Sequence, residues 1–258
     1  GWLSTGVATV EWEDDRGRFT RRLFVSRADD VVVMSIQGPG KGRLDCRLAF
    51  ATRPFRRTGG WGPEAMFRNG IKDIAARAEP GWLHYRAGFK NAYPGGRSGY
   101  EVAARVVPVG GTMTVAGDAL SFSGADEVVI LIRIALLDES GATRREETTA
   151  ALAAFVPDFQ KLLEPHARLH GAIFNRTRLD LGGGADRALA TEDLIAQSRI
   201  GATRPALLEK LYDASRYNIL CSSGALMPNL QGIWTGTWSP YWSGDFTMNG
   251  NLQTAMAG

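Results

Sequence analysis

Hydrophobic and polar residues alternate with a period of two along several short segments of the N-terminal half. The alternation is clearest over residues 44–50, 100–106, 113–115 and 120–122. A period of two buries one face of a strand and leaves the other in water, as in antiparallel sheets. Glycine-rich breaks separate several of these segments at short intervals, which is typical of a β-sandwich. The pattern therefore predicts an antiparallel β-sandwich domain, in part, over residues 1–141.

Two segments are apolar without interruption, and one is unusually rich in Arg and Gly. Residues 31–34 and 128–131 are continuous runs of aliphatic residues and methionine. Such runs suit strands that are covered on both faces, so we expect both segments in central positions of a sheet. Residues 53–75 contain several arginines and glycines, and this composition predicts a long loop.

The pattern changes from period two to helical periodicity near residue 146. Residues 146–155 are mostly helix formers, and 159–174 continue in helical register. Pro205 begins a clearer helix, because proline is favoured in the first turn and apolar residues follow at helical spacing. Glu209, Lys210 and Asp213 fall outside that apolar stripe. The sequence thus predicts a multi-domain α+β chain, with a helical linker over 142–200 and the start of a helical domain over 201–258.

Composition excludes several classes of protein. With 258 residues, 44% hydrophobic and 22% charged, the chain can build a core and is not a disordered tail. No apolar run approaches the roughly 18 residues of a membrane span. The formal charge is +3, and the arginines are scattered among acidic residues, so nucleic-acid binding is not expected. The two cysteines, Cys46 and Cys221, are expected as free thiols, and the Gly-Trp-Leu start reads as part of a longer protein.

No cofactor or metal site is expected from the motifs. The chain has no Gly-rich phosphate loop, no G-x-S-x-G elbow and no metal-ligand spacing. His166 and His170 lie four residues apart on a predicted helix, so both rings could face one metal. Because no third ligand is suitably placed, surface or packing histidines are the preferred interpretation.

An aromatic segment near the C-terminus is the strongest candidate for a binding site. Residues 227–246 include three Trp together with amide and carboxylate side chains, and their Gly and Pro content predicts a loop. A long aromatic loop is costly to leave in water unless it lines a site. Aromatic faces stack on sugar rings, whereas Asn, Gln and Asp bind hydroxyl groups. The residues alone leave open the alternative that these Trp fill a helical core.

The same region resembles glycoside hydrolase family 95, the inverting α-L-fucosidases and their relatives. The most specific match is Asn-Leu-Gln-Gly-Ile-Trp at residues 229–234, preceded by residues 216–224 and followed by Asn-Gly-Asn-Leu-Gln at 249–253. Upstream, residues 174–182 resemble the connector before the family's barrel, and residues 99–128 resemble late strands of its N-terminal β domain. The resemblance covers most of the chain.

The resemblance implies an architecture and a mechanism. The family has an N-terminal β-sandwich, a helical linker, an (α/α)6 barrel with the active site, and a C-terminal β domain. Asn249 and Asn251 match the asparagine pair that holds the attacking water, so both are predicted as catalytic. The general acid Glu and the activating Asp are expected beyond Gly258. An alternative for the pair is capping of a helix over 249–257, since Asn is a favoured N-cap residue.

The chain departs from the family pattern at two places. Thr247 stands where the family has a substrate-contacting His, and residues 254–257 replace the usual Met-Asn-Tyr-Trp, which predicts altered sugar subsites. The residues predicted to bind substrate are Asn229, Gln231, Trp234, Trp238, Trp242, Asp245 and Thr247.

We therefore expect a fragment of an inverting exo-glycosidase that acts on α-L-fucosides or related α-linked sugars of glycans. The alternatives are a noncatalytic carbohydrate-binding module and a degenerate relative that binds sugar without cleaving it. The family's substrates are largely extracellular or periplasmic glycans, so we expect the same location for this protein.

Overall fold

The computed structural model describes residues 2–51, 71–90, 95–230, 232–234 and 246–255. The chain divides into two compact units. One unit contains Trp2 and residues 6–169, and the other contains Gly1, residues 3–5 and His170–Gly258. Each unit is described separately below.

The first unit is built on two antiparallel sheets. A seven-stranded sheet has the order β1-β2-β3-β10-β7-β6-β5, and a three-stranded sheet has the order β4-β9-β8. The strands are β1 (Ala8–Asp14), β2 (Gly17–Val25), β3 (Val32–Gln37), β4 (Leu44–Ala49), β5 (Ile71–Glu79), β6 (Trp82–Phe89), β7 (Gly99–Val109), β8 (Thr112–Ala116), β9 (Ala119–Ala125) and β10 (Glu127–Leu137). Side chains from both sheets share one core cluster, which includes Phe19, Leu120, Phe122 and Val128. The predicted antiparallel β architecture is confirmed.

The two continuous apolar runs lie in the middle of the large sheet, as predicted. Strand β10 pairs with β3 on one side and with β7 on the other. Val128 and Leu131 on β10 are fully buried, and Val33 on β3 is as well. A strand covered on both faces has no position that favours a polar residue, which is why these segments show no alternation.

Helices cover the face of the large sheet that the small sheet leaves free. These helices are α2 (Arg145–Ala153) and the N-terminal part of α3 (Phe159–Phe174), whereas residues 3–5 of the short helix α1 (Trp2–Thr5) belong to the second unit. The second core cluster joins Phe24 and Leu131 from the sheet to Leu152 of α2 and Phe159 of α3. The helical segments predicted after residue 146 are confirmed.

The predicted long loop over 53–75 is wrong at its C-terminal end. Strand β5 begins at Ile71 and pairs with β6, and residues 52–70 lie outside the described residues. Strand β5 is an edge strand, and most of its residues up to Arg77 are exposed. Its polar Lys72 and Asp73 therefore carry no alternating burial signal, which explains why the pattern did not indicate a strand.

The second unit is helical where the structure describes it. Its elements are the C-terminal end of α3, a 310 helix (Gly184–Ala188), α4 (Thr191–Ile200), α5 (Pro205–Ser222) and α6 (Gly250–Ala255). A small core joins Leu194 of α4 to Ala206 and Leu207 of α5. Pro205 is in the first turn of α5, as predicted. Within the described ranges, no helix is both long and apolar enough to cross a membrane.

Candidate functional site

A depression of about 400 Å³ lies at the C-terminal end of α5. It is lined by Ser222, Gly224, Ala225, Leu226, Met227, Asn229, Gly232, Ile233 and Phe246. Helix α5 ends at Ser222, and the chain then turns through Asn229, whose carbonyl accepts a hydrogen bond from the Gly232 amide at 3.2 Å. The predicted aromatic segment is irregular at its described residues 227–230, 232–234 and 246. The depression therefore brings both ends of that segment, at Asn229 and Phe246, to one place.

Asn229 is the polar side chain best placed to meet a ligand there. The residue is half-buried, and its Oδ1 atom is buried without a hydrogen-bond partner among the described residues. A buried amide oxygen without a partner costs free energy, and a ligand hydroxyl can supply the missing hydrogen bond. The sequence predicted a substrate contact for Asn229, and that role stays a prediction.

Trp234 lies next to this depression, and glycine makes its position possible. Gly232 has a positive φ of 59°, and a Cβ atom there would lie 2.7 Å from the Trp234 ring. Only glycine fits both the backbone conformation and the close approach of the indole. Trp234 is 56% exposed, so an aromatic face remains accessible to a ligand.

The predicted catalytic asparagines lie at the start of α6. Asn249 directly precedes the first helical residue, Gly250, and Asn251 is the second residue of the helix. Both side chains are exposed, and Thr247 is half-buried. Asn249 thus occupies the position of an N-cap residue, and the capping alternative stays open alongside the catalytic one. The other predicted contacts, Gln231, Trp238, Trp242 and Asp245, lie outside the described residues.

A buried carboxylate that the sequence interpretation missed holds the N-terminal end of α5 in place. Glu209 falls outside the apolar stripe of the sequence, yet it is only 5% exposed. Its carboxylate accepts hydrogen bonds from the amides of Leu181 (2.7 Å) and Gly183 (3.1 Å). It also accepts from Arg187 Nε at 2.6 Å and Nη2 at 2.9 Å. The bonds from Arg187, supported by the two amides, lower the pKa of Glu209 to about 2.

This network joins the connector at 179–188 to the first long helix of the unit. Gly183 packs so closely that a Cβ atom there would lie 2.5 Å from Glu209 Oε2. The glycine run at 182–184 therefore has a structural role, since the Gly183 amide binds the Glu209 carboxylate and the Gly182 amide binds Asp180. That run, followed by an arginine and a helical glutamate, was the only sequence signal for the network.

The two helical histidines have structural partners, as the packing interpretation predicted. His166 is buried, its Nδ1 accepts a hydrogen bond from the Arg27 amide at 3.1 Å, and its ring stacks on Phe24. His170 is also buried, and its Nε2 is 2.8 Å from the Leu3 carbonyl oxygen.

Two protein-family models match different parts of the chain. Residues 158–256 match the model described as glycosyl hydrolase family 95 catalytic domain, and residues 3–136 match the model described as glycosyl hydrolase family 65, N-terminal domain. The N-terminal part of the chain belongs to the family of that N-terminal domain, and its C-terminal part is similar to the catalytic domain of glycoside hydrolase family 95. The resemblance that the sequence motifs indicated is confirmed, and the depression and the asparagine pair both lie within the catalytic-domain match.

Curated relatives carry fucosidase names. "Alpha-L-fucosidase 2" of Arabidopsis thaliana is 24% identical over 278 residues, which cover 97% of this chain and 32% of that protein. "Probable alpha-fucosidase A" of Aspergillus niger is 41% identical over 100 residues, which cover 37% of this chain and 12% of that protein. The protein of the same name from Aspergillus oryzae is 24% identical, with 99% of this chain and 36% of that protein covered. The chain thus spans about a third of the length of the two relatives that match nearly all of it.

Among solved structures, a protein named "Putative kojibiose phosphorylase from human microbiome" has a similar fold. Its TM-score is 0.53 at 8% sequence identity, and the match covers 94% of this chain and 30% of that one. At this identity the likeness concerns the fold alone. It supports the arrangement of antiparallel sheets followed by helices.

Proposed function

We propose that this chain is a fragment of an inverting exo-glycoside hydrolase that removes α-L-fucose or a related α-linked sugar from glycans. The observation that carries the proposal is the catalytic-domain match over 158–256, within which Asn229, Asn249 and Asn251 lie. The fucosidase names of the relatives support the sugar class. The substitution of Thr247 for the family's histidine favours a modified subsite for that sugar.

Inverting hydrolysis of a glycosidic bond requires one group that donates a proton and another that activates water. An inverting glycosidase protonates the leaving oxygen with one carboxylic acid, while a base on the opposite side of the ring activates water, roughly 6.5–9.5 Å away. Asn249 and Asn251 would orient that water through their amide groups. A neutral amide is too weak a base to accept the proton alone, so a carboxylate must polarise the same water. We place that Asp and the general acid Glu beyond Gly258.

The aromatic segment at residues 227–246 would bind the substrate. The exposed face of Trp234 would stack on the apolar side of a sugar ring, and the unpartnered Oδ1 of Asn229 would accept a hydrogen bond from a hydroxyl group. Gln231, Trp238, Trp242, Asp245 and Thr247 complete the proposed set. We further propose an extracellular or periplasmic location, where such glycans occur.

The decisive experiment replaces the asparagines in the longer enzyme that contains this chain. Asn251→Ala should lower kcat by at least about 100-fold with a smaller effect on KM, because the water is held mainly in the transition state. Asn249→Ala should behave similarly, with a larger rise in KM if its amide also contacts a sugar hydroxyl. Asn218→Ala, at an exposed position of α5, is the matched control and should leave kcat unchanged.

The capping alternative predicts a different result for the same variants. If Asn249 only caps α6, its replacement costs about 1 kcal/mol of stability while kcat is nearly unchanged. Measuring kcat and Tm for each variant therefore separates the two explanations. A large fall in Tm with intact turnover would assign the pair to capping.

A sugar-binding relative without activity is the second candidate, and Thr247 is the residue that favours it. In that case the longer protein binds an α-L-fucoside by calorimetry and releases no fucose from it. Restoring the family residue with Thr247→His should then create turnover, which it would not do in a protein that is already active.

A further inference from the structure

A groove of about 390 Å³ lies in the first unit, between strands β5 and β6 and helix α2. It is lined by Glu79, Trp82, His84, Arg145, Glu146, Thr149, Ala150 and Ala153. The small residues Ala150 and Ala153 leave room above the sheet. Its volume is at the lower end of the range of about 300–1,000 Å³ found for small-molecule sites.

One wall of the groove is an aromatic platform. Trp82 and His84 are two residues apart on β6, so both side chains are on the same face of the sheet. Their rings are nearly parallel, at an interplanar angle of 13° with centroids 6.1 Å apart. Trp82 also packs against the core cluster beneath α2, which fixes the orientation of its ring. A fixed, half-buried indole offers a flat apolar surface at little entropic cost.

Acidic, basic and neutral polar side chains surround this aromatic platform. Glu79 forms ion pairs with Arg77 at 3.0 Å and with Arg145 at 3.7 Å. The Glu146 carboxylate is exposed and has no partner among the described residues. His84 is 7% exposed, and within those residues neither of its ring nitrogens makes a hydrogen bond, because Nε2 is 3.8 Å from Glu79 Oε2 and Nδ1 has no partner. These groups can serve as donors and acceptors for a ligand.

The mixture of carboxylates and a guanidinium around the groove suits a neutral molecule with several hydroxyl groups. An anion would face the carboxylates of Glu79 and Glu146, and a cation would face the guanidinium of Arg145. A molecule with an apolar face can stack on Trp82, and its hydroxyl groups can form hydrogen bonds with the polar residues around the groove. A sugar ring has these properties.

The groove is held open by contacts at both ends of α2. At the start of the helix, the Glu101 carboxylate accepts hydrogen bonds from the Arg144 amide (2.9 Å) and the Thr143 hydroxyl (3.0 Å). At its end, Arg105 Nη1 donates to the carbonyl oxygens of Leu152 (3.2 Å) and Phe155 (2.9 Å). A preformed groove avoids the cost of ordering its walls on binding.

We propose that this groove binds one neutral sugar residue of a glycan, stacked on Trp82 and hydrogen-bonded by Glu79, Arg145 and Glu146. The inference rests on the residues of the first unit and is independent of the hydrolase activity proposed above.

Histidine NMR offers a local readout, because the chain contains three histidines and only His84 lines the groove. The 258-residue chain, labelled with 15N-histidine, is titrated at neutral pH with L-fucose, D-galactose and methyl β-D-glucoside in separate experiments. We expect at least one of them to shift the His84 signals saturably, while the signals of His166 and His170 stay in place. No saturable His84 shift with any of the three sugars would overturn the proposal.

Variants test whether the shift arises from the proposed contacts. Trp82→Ala should abolish it, whereas Trp12→Ala, at a tryptophan outside the groove, should retain it. Because Trp82 also packs against the core, Glu146→Gln is a second variant at an exposed position, and we expect it to raise Kd about fivefold through a weakened hydrogen bond. Retention of the full shift and affinity in both Trp82→Ala and Glu146→Gln would contradict the assignment.

Glucosamine and glucuronate serve as charged probes, and a His84 shift with these alone would also contradict the assignment.

Discussion

Glu209 shows how a single residue can join two segments of the helical unit. A carboxylate this deeply buried is tolerated only when its charge is compensated, and Arg187 and two backbone amides do so here. Arg187 also forms an ion pair with Asp180 at 2.5 Å, which holds the guanidinium in place. The connector and α5 are thereby fixed to one another within their unit.

Replacing Glu209 with Gln should lower the Tm at neutral pH, because an amide lacks the charge that compensates Arg187 and offers one acceptor oxygen in place of two. The size of this effect should depend on pH. The pKa of Glu209 falls from its usual 4.5 to about 2 on folding, so the carboxylate stabilises the folded state fully above pH 4.5. That contribution is lost as the pH falls towards 2, and the Tm difference between the two proteins should shrink accordingly.

Differential scanning fluorimetry of both proteins between pH 7 and pH 3 provides the measurement for Glu209. Glu192→Gln is the matched control, since Glu192 is an exposed glutamate in the first turn of α4. It should change the Tm little at any pH. Equal Tm values for the parent and Glu209→Gln at pH 7 would show that the network does not stabilise the unit.

At the scale of single residues, the sequence named candidate side chains but did not predict their surroundings. Asn229 was identified by its motif, and the structure places it in a depression with an unpartnered oxygen. Helical periodicity places Glu209 outside the apolar stripe of its helix, which predicts an exposed side chain. In the structure Glu209 is buried. Periodicity reports the average polarity of a face, and it does not register a polar residue whose partners lie on a distant segment.

Secondary-structure elements in the first unit are joined by side chains as well as by the apolar core. Arg105 of β7 donates hydrogen bonds to the carbonyl oxygens of Leu152 and Ala153 in the last turn of α2 and of Phe155 just beyond it. Its positive charge also lies near the negative end of the helix dipole.

Arg105→Met keeps the apolar stem and removes these hydrogen bonds. We expect it to lower the free energy of unfolding by about 2 kcal/mol, because three carbonyl oxygens lose a charged donor. Urea denaturation followed by circular dichroism measures this change. Arg133→Met is the control, since Arg133 lies on the neighbouring strand β10 and its ion pair is with the exposed Asp30 at 3.5 Å. An effect of Arg105→Met no larger than that of the control would contradict the role given to Arg105.

The sequence pattern indicated several strands that meet a buried layer, but it did not indicate β1 and β5 at the edges of the large sheet or the interior strands β2 and β6. Strands β4, β7 and β10 show alternation or continuous apolar runs because their side chains meet a buried layer. Strand β1 is exposed along its whole length, and β5 is exposed along most of it. Their positions depend on backbone pairing with a neighbouring strand, which leaves little trace in the polarity of the sequence.

On the scale of the whole molecule, the chain covers about a third of Alpha-L-fucosidase 2. If the two carboxylates lie beyond Gly258, the 258-residue chain should not hydrolyse an aryl α-L-fucoside or 2'-fucosyllactose. Neither the protonation of the leaving oxygen nor the activation of water has a route without them. Fluorimetric and chromatographic assays against a protein-free blank test this expectation, and turnover above the blank would place the catalytic groups within these residues.

The contacts of β7 with α2 also restrict the length of that helix. Glu101 and Arg105 are four residues apart on one strand, a distance of about 13 Å. The nine residues of α2 rise by about 13 Å as well, so each end of the helix meets one of the two charges. Inserting or deleting a single residue in α2 would shift one end by about 1.5 Å and rotate it by about 100° away from its partner. During evolution, substitutions on the solvent-exposed side of α2 should therefore be tolerated. An insertion or deletion in α2 should be tolerated only together with a change in the spacing of Glu101 and Arg105 on β7.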